Sequence, residues 1–402
     1  MQAKQNIGVN SSDTTVLIVG AGPVGLSAAF ALSKMNIDVQ VIDSGLDVDS
    51  RMRASTFHPP TLDMIEELGV LDELLAEGLK VPVWRMRQHE SGESVAFDLG
   101  LLGDATSHPY RLQIEQHRYC SLLVNALAKR GVVVEFGVQA VDAQQDDSGV
   151  TLTLDGLDRR RADWLIGADG ASSQIRKSQN LDYGGKTYTH SSVLLATPFQ
   201  FDQYLEDVSG VTYCWSGRGP FSLLGLKSLW RASLYPGVKD LSSAAEEERV
   251  REWLEFIHPA AADAEISDVN PYKVHERCVD TFRVGRVLLA GDAAHLNPPN
   301  GGMGMNGGIH DAMSLTKALQ SVLAGEDEAL LDRYSRQRRY VISQRLIPQA
   351  SANRARMATL DIELQLERLA EQRRLADDPK RCRDFLLKSS MISGLREAEA
   401  IE

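Results

Sequence analysis

Cysteine is scarce in this 402-residue sequence: Cys120, Cys214, Cys278 and Cys382 stand far apart, and none belongs to a CxxC pair. That spacing supplies neither a disulfide framework nor a zinc knuckle, so no metal site is expected and a reducing cytoplasm fits. Excess positive charge is also missing. The 43 Lys and Arg against 55 Asp and Glu leave a formal net charge of −12. A surface that acidic has no general attraction for phosphate backbones or anionic lipid, so neither nucleic acid nor membrane is expected as a partner. No unbroken hydrophobic run reaches membrane length. The segment from Thr14 to Ser33 carries no charge, but Gly20, Gly22, Pro23 and Gly25 break its middle, which reads as strand, turn and helix. No basic segment with a small-residue cleavage site precedes it, so secretion is not expected. What remains is a globular composition, 43% hydrophobic and 24% charged, with length for two or three compact units.

Residues 1–14 are polar and read as a disordered N-terminus, with order expected from Thr15. From there "TTVLIVGAGPVGLSAAFALSKMNIDVQVID" gives a buried strand (Val16 to Val19), a glycine turn, an apolar helix to about Met35 and a second strand (Val39 to Ile42). In this GxGxxG, Gly20 permits the tight turn, Gly22 lets backbone amides approach a pyrophosphate, and Gly25 lets the helix pack close to the strand. Pro23 and the residues after it open the helix toward an anion. Asp43, with Ser44 beside it, ends the second strand, where a carboxylate can accept hydrogen bonds from a ribose diol. A dinucleotide site follows. The motif alone leaves NAD and FAD open, since both carry the adenosine diphosphate half.

Two further segments bear on that choice. "ADWLIGADGASSQIRKS" runs from a strand (Trp164 to Ile166) through Asp169-Gly170 into a short helix holding Ser172, Ser173 and Arg176. "GRVLLAGDAAHLNPPNGGMGMNGGIHDAMSLTKAL" gives a strand (Val287 to Ala290), Gly291-Asp292, a loop rich in proline and glycine, and a long helix to about Leu323. An Asp at a strand end can bind a chain of hydroxyls, and a glycine loop entering a helix can set amides against a polar ring edge.

In this order and at these distances, the three segments resemble the class A flavoprotein monooxygenases, the aromatic-ring hydroxylases of the 4-hydroxybenzoate hydroxylase type. The resemblance covers Thr15 to about Tyr340. It implies FAD on Gly20, Gly22 and Gly25, an Asp169-Gly170 motif serving both FAD and the nicotinamide donor, and Asp292 after Gly291 on the FAD ribityl chain. The "SRMRAST" stretch matches the family's RxRA element, so Arg51 and Arg53 are expected near the pyrophosphate and the nicotinamide site. In "RLQIEQHRYCSLL", Gln113 takes the place of a glutamine that contacts the flavin, with Arg118 a second candidate for cofactor contact. Asp43 departs mildly from the pattern, which more often has glutamate. The loop from Pro298 to Asn306 looks like the family's flavin loop. That implies cofactor contact from Pro299, Gly301, Gly302, Gly304, Met305 and Asn306, with the side chains of Met303 and Met305 mainly packing. The resemblance also aims the Pro299 carbonyl at the substrate hydroxyl. His295 is a candidate for a proton network or for a histidine satisfied in the core.

The implied fold is α/β. A Rossmann-like FAD-binding domain (15–80, 106–182 and 276–345) is interrupted by an antiparallel-sheet substrate domain (81–105 and 183–275), followed by C-terminal helices (346–402). Alternating apolar stretches such as Ser191 to Ala196 and Phe221 to Leu226 carry the sheet reading. Tyr213, Trp215, Phe221, Trp230 and Tyr235 gather there with Lys227 and Arg231. Such walls suit a flat phenolic ligand, and they equally suit a sheet core. Tyr213, Tyr235 and Arg231 are the substrate-side candidates. Helices beyond the core can cover the pocket or form a dimer contact, so monomer and homodimer both stay open.

The activity implied is single-component hydroxylation of a small phenol or hydroxypyridine. NADH or NADPH reduces FAD, dioxygen adds to give a C4a-hydroperoxyflavin, and hydroxyl transfer to the ring follows. A flavin-dependent halogenase, a flavin saturase or a non-catalytic FAD-binding sensor would share the scaffold. The WxWxIP element of a halogenase is absent from this sequence.

Overall fold

A computed structural model of the chain describes residues 14–402. Apart from Thr14, the disordered N-terminus expected over 1–14 lies outside the described residues. Thr14 already belongs to the first strand, Thr14–Val19, where its hydroxyl donates to Asp38 Oδ2 at 2.7 Å.

The first strand forms the centre of an eight-stranded sheet. Val39–Asp43 and Arg159–Gly167 flank it in parallel, and Val134–Phe136 and Val287–Leu289 extend the parallel run on either side. Such strands are buried on both faces, which is why they read as continuous apolar runs. The register decides the function of this sheet. Val19 lies opposite both Ile42 and Gly167, and Gly167 lies opposite Leu289. Four carboxyl ends therefore finish level. The Gly20 turn, Asp43, Asp169-Gly170 and Gly291-Asp292 all leave the same edge, the place where open α/β sheets bind ligands.

Two helices close on this edge. Pro23–Lys34 starts inside the glycine turn, with proline in its first turn and no side-chain cap. Gly304–Leu323 also starts without a side-chain cap, directly after the proline- and glycine-rich loop. In both, the first-turn amides keep their donors available to an anion or a polar ring edge.

A second eight-stranded sheet brings Trp84, Met86 and Tyr213 to the same space as Asn300 and Gly301 of that loop. It is not wholly antiparallel: Val211–Trp215 runs parallel to Val83–Gln88. The Val83–Gln88 and Ser94–Asp98 hairpin comes from a distant part of the chain, so no tight turn forces its direction relative to Val211–Trp215. Three of the expected domain boundaries fall inside elements. Leu79–Val81 pairs across 80/81, Asp268–Cys278 crosses 275/276, and a wide π-type helical segment, Val341–Leu346, crosses 345/346. Pro348 follows that segment. Its missing N–H removes an interior helical bond, which accounts for the widened turn.

The terminal helices pack onto the hairpin. Leu369, Leu386 and Ile392 join Trp84, Phe97 and Val211 in one buried cluster, with the Trp84 and Phe97 rings stacked at 4.3 Å. Each such buried side chain contributes roughly 1.5–3 kcal/mol, enough to fix these helices as part of the fold. Among the described residues, no helix is long and apolar enough to cross a membrane.

Candidate active site

The glycine turn is shaped by close approach. A Cβ on Gly20 would lie 2.2 Å from the Ala168 carbonyl oxygen, and one on Gly25 would lie 1.9 Å from that of Gly20. A Cβ on Gly22 would meet nothing within 4 Å. The turn is thus packed on the sheet side and open on the cleft side, the asymmetry a pyrophosphate requires. Asp43 Oδ2 accepts from Ala21 N at 2.6 Å and Oδ1 from Gly45 N at 2.7 Å. Its remaining lone pairs are available to a ribose diol. Ser44 beside it is exposed. These residues fit an adenosine diphosphate moiety.

The second and third signatures are joined by a residue whose role sequence reasoning missed. Arg176 Nη2 donates to Ala171 O at 3.0 Å and Nη1 to Ala293 O at 2.9 Å, so one guanidinium spans both turns. It lies 3.9 Å from the centroid of the Tyr183 ring, whose hydroxyl donates to Asp292 O at 2.8 Å. Asp169 is otherwise engaged. Its oxygens accept from Ser173 Oγ and the amides of Gln174 and Ile175, capping the short helix. Gly170, at φ +76°, completes that turn. The Asp292 side chain, by contrast, is exposed at the sheet edge, and Gly291 N donates to Asp311 Oδ2 at 3.0 Å.

The loop after Asp292 is held from behind. Asn306 Oδ1 accepts from His58 N at 2.9 Å, and its Nδ2 donates to Thr56 O at 2.8 Å and Gly302 O at 2.7 Å. Its side chain therefore fastens the loop to the Thr56–Phe57 strand, leaving only its backbone amide for a cofactor. Gln113 is buried and its amide is paired with Thr56 Oγ1. Gly301 and Gly302 take φ +109° and +67°, and His58 Nε2 donates to Gly301 O at 2.8 Å. Gly304 and Met305 form the first turn of the following helix, Met305 being buried. Pro299 is exposed, and its carbonyl accepts from Gly302 N at 2.9 Å within the loop.

His58 and His310 are both fully buried, and burial is the main cause that lowers each pKa to about 3. Unfolded histidine titrates near 6.5. Between these values the unfolded chain takes up protons that the folded chain refuses, so the stability from these groups is present above pH 6.5 and falls as pH drops toward 3. The unfolding free energy from denaturant titrations should fall between pH 6.5 and pH 5, by on the order of 1 kcal/mol per pH unit per histidine. A flat profile across that interval would show that these rings are not held neutral.

The arginine element is tied to the second sheet. Arg51 and Arg53 are exposed and both pair with Asp49, at 2.8 and 3.2 Å. The Arg51 hydrogen bond is the main cause that lowers the Asp49 pKa to about 2. Arg231, on Trp230–Leu234, is 4% exposed and donates to Arg53 O at 2.9 Å, while Asn270 Nδ2 donates to Met52 O at 2.9 Å. Burial lowers the Arg231 pKa. Arg118 is exposed and pairs with Glu77 at 2.8 Å.

In front of the loop lies a cavity of about 310 Å³. Trp84, Arg111 and Tyr213 form one side, Asn300 and Gly301 the loop side, and residues of Ile347–Met357 and Pro379–Ser389 the cover. Arg111 Nη1 donates to Tyr213 Oη at 3.2 Å, and its guanidinium lies 5.1 Å from the Trp84 ring centroid. Of the substrate-side candidates only Tyr213 lines the cavity. Tyr235 reaches it indirectly, accepting from Asn300 Nδ2 at 3.3 Å. Trp215, Phe221 and Trp230 are sheet core, and Lys227 is exposed and bonds to Ala76 O. His295 lies behind the loop, donating from Nε2 to Asp311 Oδ2 at 2.7 Å with its ring stacked on Phe282. Trp84 and Arg111 escaped sequence reasoning. C-terminal helices over 346–402 are expected to cover the pocket or to form a dimer contact, and Ile347–Met357 and Pro379–Ser389 stand over it.

Comparison with known proteins agrees with this geometry. The FAD binding domain family matches residues 13–348. The chain is 32% identical over 398 residues to para-nitrophenol 4-monooxygenase of Pseudomonas sp. (strain WBC-3), covering 96% of this chain and 97% of that protein. It is 33% identical over 352 residues to 6-hydroxy-3-succinoylpyridine 3-monooxygenase of Pseudomonas putida, covering 84% and 87%. Among solved structures, p-nitrophenol 4-monooxygenase from Pseudomonas putida DLL-E4 superposes with a TM-score of 0.88 at 30% identity, covering 95% of this chain and 98% of that one.

Proposed function

The chain belongs to the FAD binding domain family, and from that premise we propose that it is a single-component, FAD-dependent monooxygenase that hydroxylates a small phenolic or hydroxypyridine-type aromatic. The observation that carries this reading is the convergence of three signature turns at one sheet edge, with a covered aromatic cavity directly in front of the glycine loop. When bound, FAD supplies the redox chemistry, taking electrons from NADH or NADPH and using dioxygen to oxygenate the ring. The protein's own residues bind, orient and shield.

The Gly20–Gly25 turn and the uncapped helix after it receive the pyrophosphate, and Asp43 the adenine-side ribose. Asp292 takes the ribityl hydroxyls, with Arg176 and Tyr183 fixing its backbone. Asn306 and His58 hold the Gly301-Gly302 loop rigid, so its amides meet the flavin edge without reorganisation. Arg231 and Asn270 anchor the Arg51–Arg53 segment, which leaves two exposed guanidiniums near the pyrophosphate. The terminal helices exclude water from the cavity.

Replacing Asp292 with alanine should cut FAD retention sharply without destabilising the apoprotein, because the side chain borders the open cleft and burial already disfavours its charge, raising its pKa. Unchanged flavin content in the purified variant would remove the ribityl assignment. The function itself is tested by NAD(P)H oxidation across nitrophenols, hydroxypyridines and hydroxybenzoates, with hydroxylated product identified by mass. No stimulation by any of them would defeat the reading.

A further inference from the structure

The cavity is electrostatically one-sided. Arg111, Arg356 and Lys388 line it and no acidic side chain does, although the chain carries a formal charge of −12. Arg111 comes from the Arg111–Gln113 strand, Arg356 from Ile347–Met357 and Lys388 from Pro379–Ser389, so three distant segments bring positive charge to one space. Among the described residues no carboxylate forms an ion pair with any of the three. Among the described residues neither the Arg356 guanidinium nor the Lys388 ammonium finds a hydrogen-bond acceptor, and the buried Arg111 leaves its Nε without a partner there.

Several other buried or half-buried arginines of the chain are held by carboxylates or, as with Arg87, Arg176 and Arg231, by backbone carbonyls. Arg338 meets Asp311 at 2.6 Å, Arg160 meets Glu135 at 2.6 Å, and Arg383, on the same helix as Lys388, meets Asp104 at 2.6 Å. A half-buried guanidinium without a counter-charge is costly. Burial lowers the Arg356 pKa, Arg368 adds repulsion, and Glu371 acts on it only from a distance. An anion in the cavity relieves this. The Trp84 and Phe385 rings, 6.1 Å apart between centroids, offer the apolar surface a flat ring needs.

We propose that the hydroxyaromatic substrate carries a second, permanently anionic group, a carboxylate on the ring or on a short side chain, which Arg356 and Lys388 receive while its hydroxyl faces the Asn300-Gly301 loop. The proposal rests on the reading of this cavity as the substrate site. It makes Arg356 and Lys388 specificity-determining residues contributed by the C-terminal helices.

The test uses the FAD-loaded enzyme and flavin absorbance changes on titration with 4-hydroxybenzoate, 4-hydroxyphenylacetate and 3-(4-hydroxyphenyl)propanoate, each beside its uncharged primary amide. At least one acid should bind roughly tenfold or more tighter than its amide, the loss expected when a charged hydrogen bond is missing. Arg356→Gln and Lys388→Gln should shrink that preference toward unity, and Arg356→Lys should keep part of it. Lys388 is exposed, so its variant should retain flavin and fold even if the Arg356 variant does not. Amides binding as tightly as acids, or 4-nitrophenol binding where no acid does, overturns the anionic substituent and leaves the hydroxylase reading standing. A preference untouched by both substitutions overturns the residue assignment. Failure of every hydroxyaromatic, 4-nitrophenol and hydroxypyridines included, to stimulate NAD(P)H oxidation brings down the functional reading instead.

Discussion

Gly25→Ala should weaken FAD binding by up to about a hundredfold and destabilise the fold, whereas Gly22→Ala should weaken FAD retention without disturbing the fold. The added Cβ at position 25 would stand 1.9 Å from the Gly20 carbonyl oxygen, a backbone atom that cannot rotate away. To relieve the clash, the helix at Pro23–Lys34 must withdraw from the Thr14–Val19 strand by more than an ångström, taking its amide donors with it. Overpacking of this kind costs roughly 1–3 kcal/mol in stability. Misplaced first-turn amides should cost about the same again in FAD binding, near hundredfold at the upper end. At position 22 the added methyl meets no protein atom within 4 Å and φ is −77°, which any residue adopts. It projects into the cleft and obstructs only the ligand. Comparing flavin content with apoprotein stability separates the two: Gly25→Ala should lower both, Gly22→Ala the first alone. Full flavin occupancy in Gly25→Ala would refute the packing role of that glycine.

Arg338→Met should produce the second large effect, in a buried ion pair that does not line the cavity. Asp311 is fully buried, with Arg338 Nε at 2.6 Å on Oδ1 and both His295 Nε2 and Gly291 N on Oδ2. Arg338 also donates to Gly307 O at 3.3 Å. The opposing forces are large: burial raises the Asp311 pKa, yet Arg338, His295 and their hydrogen bonds prevail and hold it at about 2. Removing the arginine leaves the buried carboxylate to His295 and the Gly291 amide alone, and loss of one partner of such a pair costs about 3–5 kcal/mol. The denaturation midpoint should fall accordingly. FAD retention should fall with it, because Asp311 braces the amide of Gly291 just before Asp292. Adding Asp311→Asn to Arg338→Met removes the stranded charge and should recover part of the stability. A loss below about 1 kcal/mol in the single variant, or no recovery in the double, would contradict this account.

Acid should weaken the same network. A carboxylate with a depressed folded pKa contributes stability that is complete above its unfolded value, near 3.9, and lost as pH falls toward 2. The contribution of Asp311 therefore starts to fall near pH 3.9, once His58 and His310 have eroded most of theirs, and is lost toward pH 2.

Local constraints made the nucleotide half legible. A glycine turn between strand and helix, an acid at a strand end and a glycine loop opening a long helix each express themselves within a few residues, because the backbone geometry they serve is local. The sequence by itself therefore determined the three signatures, the order of strands and helices around them, the α/β class and the resemblance that implied FAD. Tertiary structure decided which side chains remain for chemistry. Asn306, Gln113 and Asp169 stand at motif positions, yet their polar atoms are largely occupied by Thr56, His58, Gly302 and the helix after Asp169, partners that sequence spacing does not reveal. The level strand ends depend on register across three strand pairs, and the Arg176 bridge depends on that register. The cavity is the least legible part. Its wall joins residues as far apart as Trp84, Arg111, Tyr213, Arg356 and Lys388, and an arginine on an amphipathic terminal helix reads the same in sequence whether it faces water or a substrate. Only the packing of those helices onto the Val83–Gln88 hairpin turns that charge inward, because burying Leu369, Leu386 and Ile392 fixes which faces of the helices point into the cavity.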